Sequence, residues 1–371
     1  MDPVKILRRA WQILWSYRAL WVFGLILALA GAGSSARNSS NNNTQYQNDS
    51  QSIQEPAPED IEEAFQDFGR QIERMREEGF PSVGISAEEV TAILWAIGIF
   101  VALSFLFSLV LAVGRYVSET AVIRMVDEYE GTGTRMTVRE GFRLGWSRAS
   151  WRLFLINLLV NLPLILALLL LLTIGIAILL TAVQNNGQLS PALIFGSVVT
   201  VFLLIFVAVI VTVLLAFLRN FFWRVAVLED ADLGESLRRG FQMVRENWKS
   251  VGVMWLVMIG LGIAWAIASL ILFILTLPVL LVTGVIGAAV AAIPALVVSG
   301  IASPFMDGWL PWIVGALFAM PIFIPIAFSP WLLLGSWQTV YTSTVWTLVY
   351  RELKALPALT NGSVSVPPAA G

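Results

Sequence analysis

Long apolar runs alternate along this chain with short, strongly basic stretches. Runs at roughly 19–34, 90–114, 153–183, 191–218, 251–276 and 311–333 are each close to, or longer than, the roughly 20 residues a helix needs to cross a hydrocarbon core. They predict an all-α, polytopic transmembrane helix bundle of about six spans. Two further stretches are ambiguous. Residues 277–300 are apolar enough to span but contain Pro278, Pro294 and several glycines, which favour a bend or a re-entrant segment. Residues 334–350 are uncharged but rich in Ser and Thr and follow Pro321, Pro325 and Pro330, so they read as a kinked continuation of the last span. If both stretches crossed separately, the count would rise to eight.

Three of the basic stretches align without gaps: LRRAWQILWSYRALW from Leu7, VREGFRLGWSRASWR from Val138 and LRRGFQMVRENWKSV from Leu237. Each has a basic second residue, Ala or Gly fourth and an aromatic fifth, and each leads into an apolar run, as an internal repeat would. On a helix, Leu7, Trp11, Leu14 and Trp15 share one face, and Leu237, Phe241 and Val244 repeat the arrangement. The pattern predicts amphipathic elbow helices in the headgroup zone, with aromatic groups in the acyl chains and Arg or Lys on phosphates. Arg8, Arg9, Trp11, Arg139, Phe142, Arg238, Arg239 and Phe241 are the candidate lipid-binding or partner-binding residues. Ordinary juxtamembrane anchoring explains the same residues, and both readings stay open.

Charge placement sets the direction. Lys5, Arg8, Arg9 and Arg18 precede the first run, seven arginines fall in 115–152, six basic residues in 219–250, and Arg351 and Lys354 near the end. Only Arg37, Arg70, Arg74 and Arg76 of the 23 Lys and Arg residues fall elsewhere, in 34–88, among a majority of acids. Because basic residues flanking spans stay on the inner side, a cytoplasmic N-terminus is expected. The organisation that follows is a cytoplasmic amphipathic helix at 1–18, a span at 19–34, an outer segment at 35–89, a membrane bundle at 90–355 and a disordered tail at 356–371. Within the outer segment, a polar leader is too poor in apolar groups to fold alone, and Ile61, Phe65, Phe68, Ile72 and Met75 trace an amphipathic acidic helix. The first run followed by Gly33-Ser34-Ser35-Ala36 also resembles a cleavable secretory signal, against which stands the match of the leader to two internal segments.

Composition narrows the chemistry. The 371 residues are 57% hydrophobic and 13% charged, against about 25% charged in soluble domains. With no Cys and no His, disulfides, thiolate nucleophiles, imidazole catalysis and Cys or His metal sites are excluded. A net charge of -2 gives no reason to expect nucleic acid as a partner. Acids at Asp127, Glu128 and Glu130, and at Glu229, Asp230, Asp232 and Glu235, suit capping and solubility better than a cation, with Asp232 or Gly234 beginning a helix at Glu235. Neither metal nor cofactor is expected, and no catalytic set is visible. In-span polar groups are few: Asn157 and Asn161 one turn apart before Pro163, and Gln338, Thr342 and Ser343 near the end. Arg115 and Glu119 are spaced for an interfacial pair, and Gly284, Ala288 and Ala292 for close helix contact.

The elbow, the VAVLEDADLGESLRRGFQMVRENW segment and the terminal TVYTSTVWTLVYREL helix together resemble the membrane domain attached to some bacterial glycerophosphodiester phosphodiesterases. The resemblance spans about 90–355 and implies a bacterial inner-membrane domain without the enzyme, since the histidines of the soluble domain have no counterpart here. The expected function is non-catalytic, a lipid-associated scaffold or accessory subunit whose partners are membrane lipids and a protein or a second copy. The alternative is a transporter or flippase-like protein for an apolar or amphipathic substrate, with its path through 277–333. An enzyme acting on lipid headgroups ranks third.

Overall fold

A computed structural model describes residues 2–39, 86–184 and 190–362. Its helices are α1 (Pro3–Ser16), α2 (Ala19–Ser39), α3 (Ala87–Thr132), α4 (Val138–Gly145), α5 (Arg148–Gln184), α6 (Pro191–Leu228), α7 (Leu233–Glu246), α8 (Trp248–Ala302), α9 (Leu310–Ala327) and α10 (Ser329–Gly362), and no strand occurs among the described residues. Five helices, α3, α5, α6, α8 and α9, are long and apolar enough to cross a membrane, and the α1–α2 pair, bent by 99°, makes a sixth. The chain is thus an all-α, multi-pass helix bundle. The acidic helix expected at 61–75 and most of the leader lie outside the described residues.

Local chemistry explains the helix starts. Asp2 accepts from the backbone of Val4 and Lys5 ahead of Pro3, while Ser86 with Glu89 and Thr137 with Glu140 form capping boxes at α3 and α4. Gly133, at φ 74°, ends α3 in the left-handed region that a side chain disfavours. Three short amphipathic helices each run into a long one across one or two residues: α1 through Tyr17 and Arg18, α4 through Trp146 and Ser147, and α7 through Asn247.

Packing is concentrated at the end of the bundle that holds these elbows. Ile13, Tyr17, Leu20, Phe23, Val122, Met125, Phe221, Met254, Trp346 and Val349 form one buried cluster from α1, α2, α3, α6, α8 and α10. Elsewhere the long helices bury little, with Phe202 70% and Leu281 74% exposed. An apolar side chain facing acyl chains gains nothing by burial in protein, so these surfaces meet lipid. At about 1.5 Å per residue, the 55 residues of α8 reach about 80 Å, well beyond a hydrocarbon core of about 30 Å. Helices of this length carry a spanning section and an extension, and in α3 the extension builds the elbow-end core.

Residues 277–300, read above as bent or re-entrant, are the continuous second half of α8. Pro278 and Pro294 remove two helical donors without ending it, because α9 packs along the same stretch. The contact stripe there is shifted by one residue from the expected one. Thr283, Gly287 and Ala291 face α9, with Thr283 Oγ1 donating to the Ala327 carbonyl at 2.7 Å, whereas Ala288 and Ala292 are exposed. Glu89 at the start of α3 accepts from the Asp307 backbone at 2.8 Å and ties α3 to the α8–α9 turn. Residues 334–350 belong to α10, a helix separated from α9 at Phe328 rather than a continuation of it, and α10 runs to Gly362, past the end expected for the bundle.

Candidate functional site at the elbow end

Each elbow docks through its fourth aligned residue. Ala10, Gly141 and Gly240 are buried; a Cβ on Gly141 would strike Met125 and the Phe23 ring, and one on Gly240 the Phe222 ring. The next residue is always an aromatic left partly in the open: Trp11 is 50% exposed, Phe142 37% and Phe241 51%. Arg8, Arg139 and Arg238, one helical turn earlier, are exposed and make no ion pair or hydrogen bond with any described residue. The face that α1 buries is Ile6, Ala10, Ile13 and Leu14, rather than the Trp11 and Trp15 edge.

The other candidate arginines are engaged. Arg9 pairs with Glu130 at 2.7 Å, and Arg239 with Glu229 at 2.8 Å and Glu235 at 2.5 Å. Lys354 and the Tyr350 hydroxyl also reach Glu229, at 2.9 and 2.6 Å, so this carboxylate joins α6, α7 and α10. Burial alone would raise its pKa, but the hydrogen bonds from Tyr350, Lys354 and Arg239 outweigh that and hold it at about 2. Arg124 pairs with Asp230 at 2.9 Å, Arg351 with Asp127, and Arg152 lies 3.6 Å from Asp232. Asp232 occupies the N-cap of α7 but makes no capping bond with its side chain, being turned toward Arg152. The two acidic clusters therefore fasten helices together.

A second set of polar groups lies inside the bundle. Arg224 is fully buried; it donates to the Asn220 carbonyl at 2.9 Å and to the Ser343 carbonyl and hydroxyl at 3.0 and 3.2 Å. Ser343 in turn donates to Glu119 at 2.7 Å, and the Glu119 carboxylate is 3.8 Å from Arg224. The expected Arg115–Glu119 pair is replaced by this one, because Glu119 points into the bundle toward α6 and α10. Asn157 accepts from Arg219 at 2.8 Å and donates to the Tyr116 hydroxyl at 3.0 Å, while Asn161 donates to the Asn157 carbonyl at 2.7 Å. Asn157 thus joins α3, α5 and α6, while Asn161 bonds within α5. Neither the Arg224 partner nor the Tyr17 hydroxyl, which accepts from and donates to the Met136 backbone, carries a signal in local sequence spacing.

Between α1, α6, α8 and α10 lies a cavity of about 500 Å³ walled largely by tryptophan. On its α1 and α10 side, Trp15 and Trp337 touch each other and Trp21, with ring centroids 5.3 to 5.4 Å apart. Gln338 and Thr342, singled out as in-span polar residues, both reach the cavity.

A family of unknown function (DUF7544) matches residues 7–353, and the chain belongs to that family. No curated protein and no solved structure matches the chain.

Proposed function

We propose that this family member is a non-catalytic protein of the bacterial inner membrane whose elbow helices hold anionic lipid headgroups at the cytoplasmic face, as a lipid-associated scaffold or accessory subunit. One observation carries the reading: three exposed arginines without partners among the described residues, Arg8, Arg139 and Arg238, each sit three residues before a partly exposed aromatic. Residues three apart share a helix face. Each elbow therefore offers a cation and an amphipathic ring side by side, the pair that suits a phosphate above an acyl chain. Glu130, Glu229 and Asp230 are already paired with Arg9, Arg239 and Arg124, and Glu140, beside Arg139, is engaged in the α4 capping box. The aligned segments support descent of the elbows from one repeated unit.

The test is lipid retention in nanodiscs of mixed phosphatidylglycerol and phosphatidylethanolamine. At about 1 kcal/mol per basic residue, the triple variant R8Q/R139Q/R238Q, which removes one from each elbow, is expected to lose about fivefold in preference for phosphatidylglycerol. A wild-type protein that retains the two lipids in the bilayer ratio overturns the reading. Orientation has its own check, because the chain lacks Cys. A Thr134→Cys variant should react with an impermeant maleimide only in inverted vesicles, and Ser303→Cys only in right-side-out ones. The opposite pattern excludes a cytoplasmic elbow face.

The transport alternative placed its path at 277–333. There Gly287 lies against Phe323 and Ala327, and a Cβ on Gly315 would collide with the Ala295 carbonyl, so the α8 and α9 backbones meet along this stretch. That observation favours the scaffold reading over transport by this route.

A further inference from the structure

We infer that the tryptophan-walled cavity is a binding site for an uncharged amphiphile that presents carbonyl oxygens on an apolar body. This inference shares Trp11 with the elbow-helix reading, but its test turns on Gly262 and Gln338, which that reading does not use. A volume of about 500 Å³ is in the range of pockets that hold small organic ligands. Trp11, Trp15, Trp255, Trp265, Trp337 and Trp346 contribute to its walls, and no Asp, Glu, Lys or Arg lines it. A charged group entering this space would lose hydration without gaining a counter-ion, which selects for a neutral ligand.

The polar groups in the cavity define what that ligand presents. Trp337 Nε1 is buried without a hydrogen-bond partner and is not open to the cavity. The Gln338 amide and the Thr342 hydroxyl likewise make no hydrogen bond to any described residue. Asn220 donates weakly to the Phe217 carbonyl at 3.3 Å. An amide N–H and a hydroxyl both donate, and a donor left unpaired away from water costs about 1 to 3 kcal/mol. The Gln338 amide and the Thr342 hydroxyl, one helical turn apart on the cavity wall, can both donate to oxygens on one ligand. Its remaining surface meets aromatic faces, which stack well on flat or branched apolar groups.

The α6 and α8 walls belong to spanning helices, beside exposed Leu214 and Ile263, so a tail can leave between them along lipid-facing side chains. Two membrane components have this chemistry: a prenylated quinone, whose ring carries two carbonyls, and the ester region of a glycerolipid.

The experiment titrates the purified full chain in detergent with a two-isoprene benzoquinone and, separately, with dioctanoylglycerol, counting bound probe by native mass spectrometry. One probe should saturate at one molecule per chain, and its identity assigns the source. Two variants locate the site. A Cβ at Gly262 meets nothing within 4 Å, so Gly262→Phe fills cavity space without displacing the fold and should weaken the saturating probe at least tenfold. Gln338→Leu removes an unpartnered polar group; it should leave thermal stability intact and weaken binding at least threefold. Saturation by neither probe, or unchanged binding in Gln338→Leu, overturns the assignment even if Gly262→Phe does not fold.

Discussion

Glu119→Gln is expected to destabilise the detergent-solubilised protein by about 3 to 5 kcal/mol, the cost of leaving a buried cation without its counter-ion. The substitution keeps the shape of the side chain and lets an amide oxygen still accept from Ser343. What it removes is the charge facing Arg224, which is 1% exposed and has no other carboxylate partner among the described residues. The remaining acceptors of Arg224, the Asn220 and Ser343 oxygens, are neutral. Removing both charges in E119Q/R224M should recover most of the loss, since apolar replacement of a whole buried pair is often neutral. Thermal unfolding followed by circular dichroism checks both variants. A Glu119→Gln transition within about 1 kcal/mol of wild type, by the ordinary scatter of surface substitutions, would show that water or a neighbouring group already carries the compensation.

Gly24→Ala should cost about 1 to 3 kcal/mol, and Gly24→Leu more, because α2 and α10 cross with no room for a side chain. A Cβ there would stand 2.5 Å from Ser336 Oγ, 2.6 Å from Val340 Cγ2 and 2.8 Å from the Ser336 carbonyl. The last of these is backbone and cannot rotate away, so α2 must shift. The shift would also separate Trp21 from Trp337, whose rings now lie 5.3 Å apart, and the near-ultraviolet circular dichroism of the tryptophan cluster should weaken together with stability. Gly260→Ala is the matched control. Its Cβ enters open space, and the change should fall within about 1 kcal/mol of wild type. Equal effects at positions 24 and 260 would refute the close crossing.

Both predictions concern contacts that local sequence does not reveal. Glu119 has an arginine one turn away in Arg115 and an unrelated one in Arg224, and spacing favours the first. Only the packing of α6 and α10 against α3 decides for the second. The α8 stripe shows the same limit. Gly284, Ala288 and Ala292 are as regularly spaced as Thr283, Gly287 and Ala291, and the partner helix selects between them. The elbow aromatics were legible as an amphipathic edge, but not as the exposed rim beside a buried Ala or Gly. The tryptophan cavity was not legible at all, since its walls come from four helices spread from Trp11 to Trp346.

Sequence alone determined the all-α class, the multiple apolar spans, the three helix-to-span elbows and the absence of imidazole and thiol chemistry. Run length, capping residues and composition are properties of consecutive residues, and they survive any arrangement of the helices. The tertiary structure decided which carboxylate faces which guanidinium, where the small residues let helices touch, and which polar groups stay without partners around the tryptophans. Those outcomes depend on the relative rotation of helices far apart in the chain. A membrane weakens even the usual guide to that rotation, because an apolar side chain is equally at home against lipid and against protein.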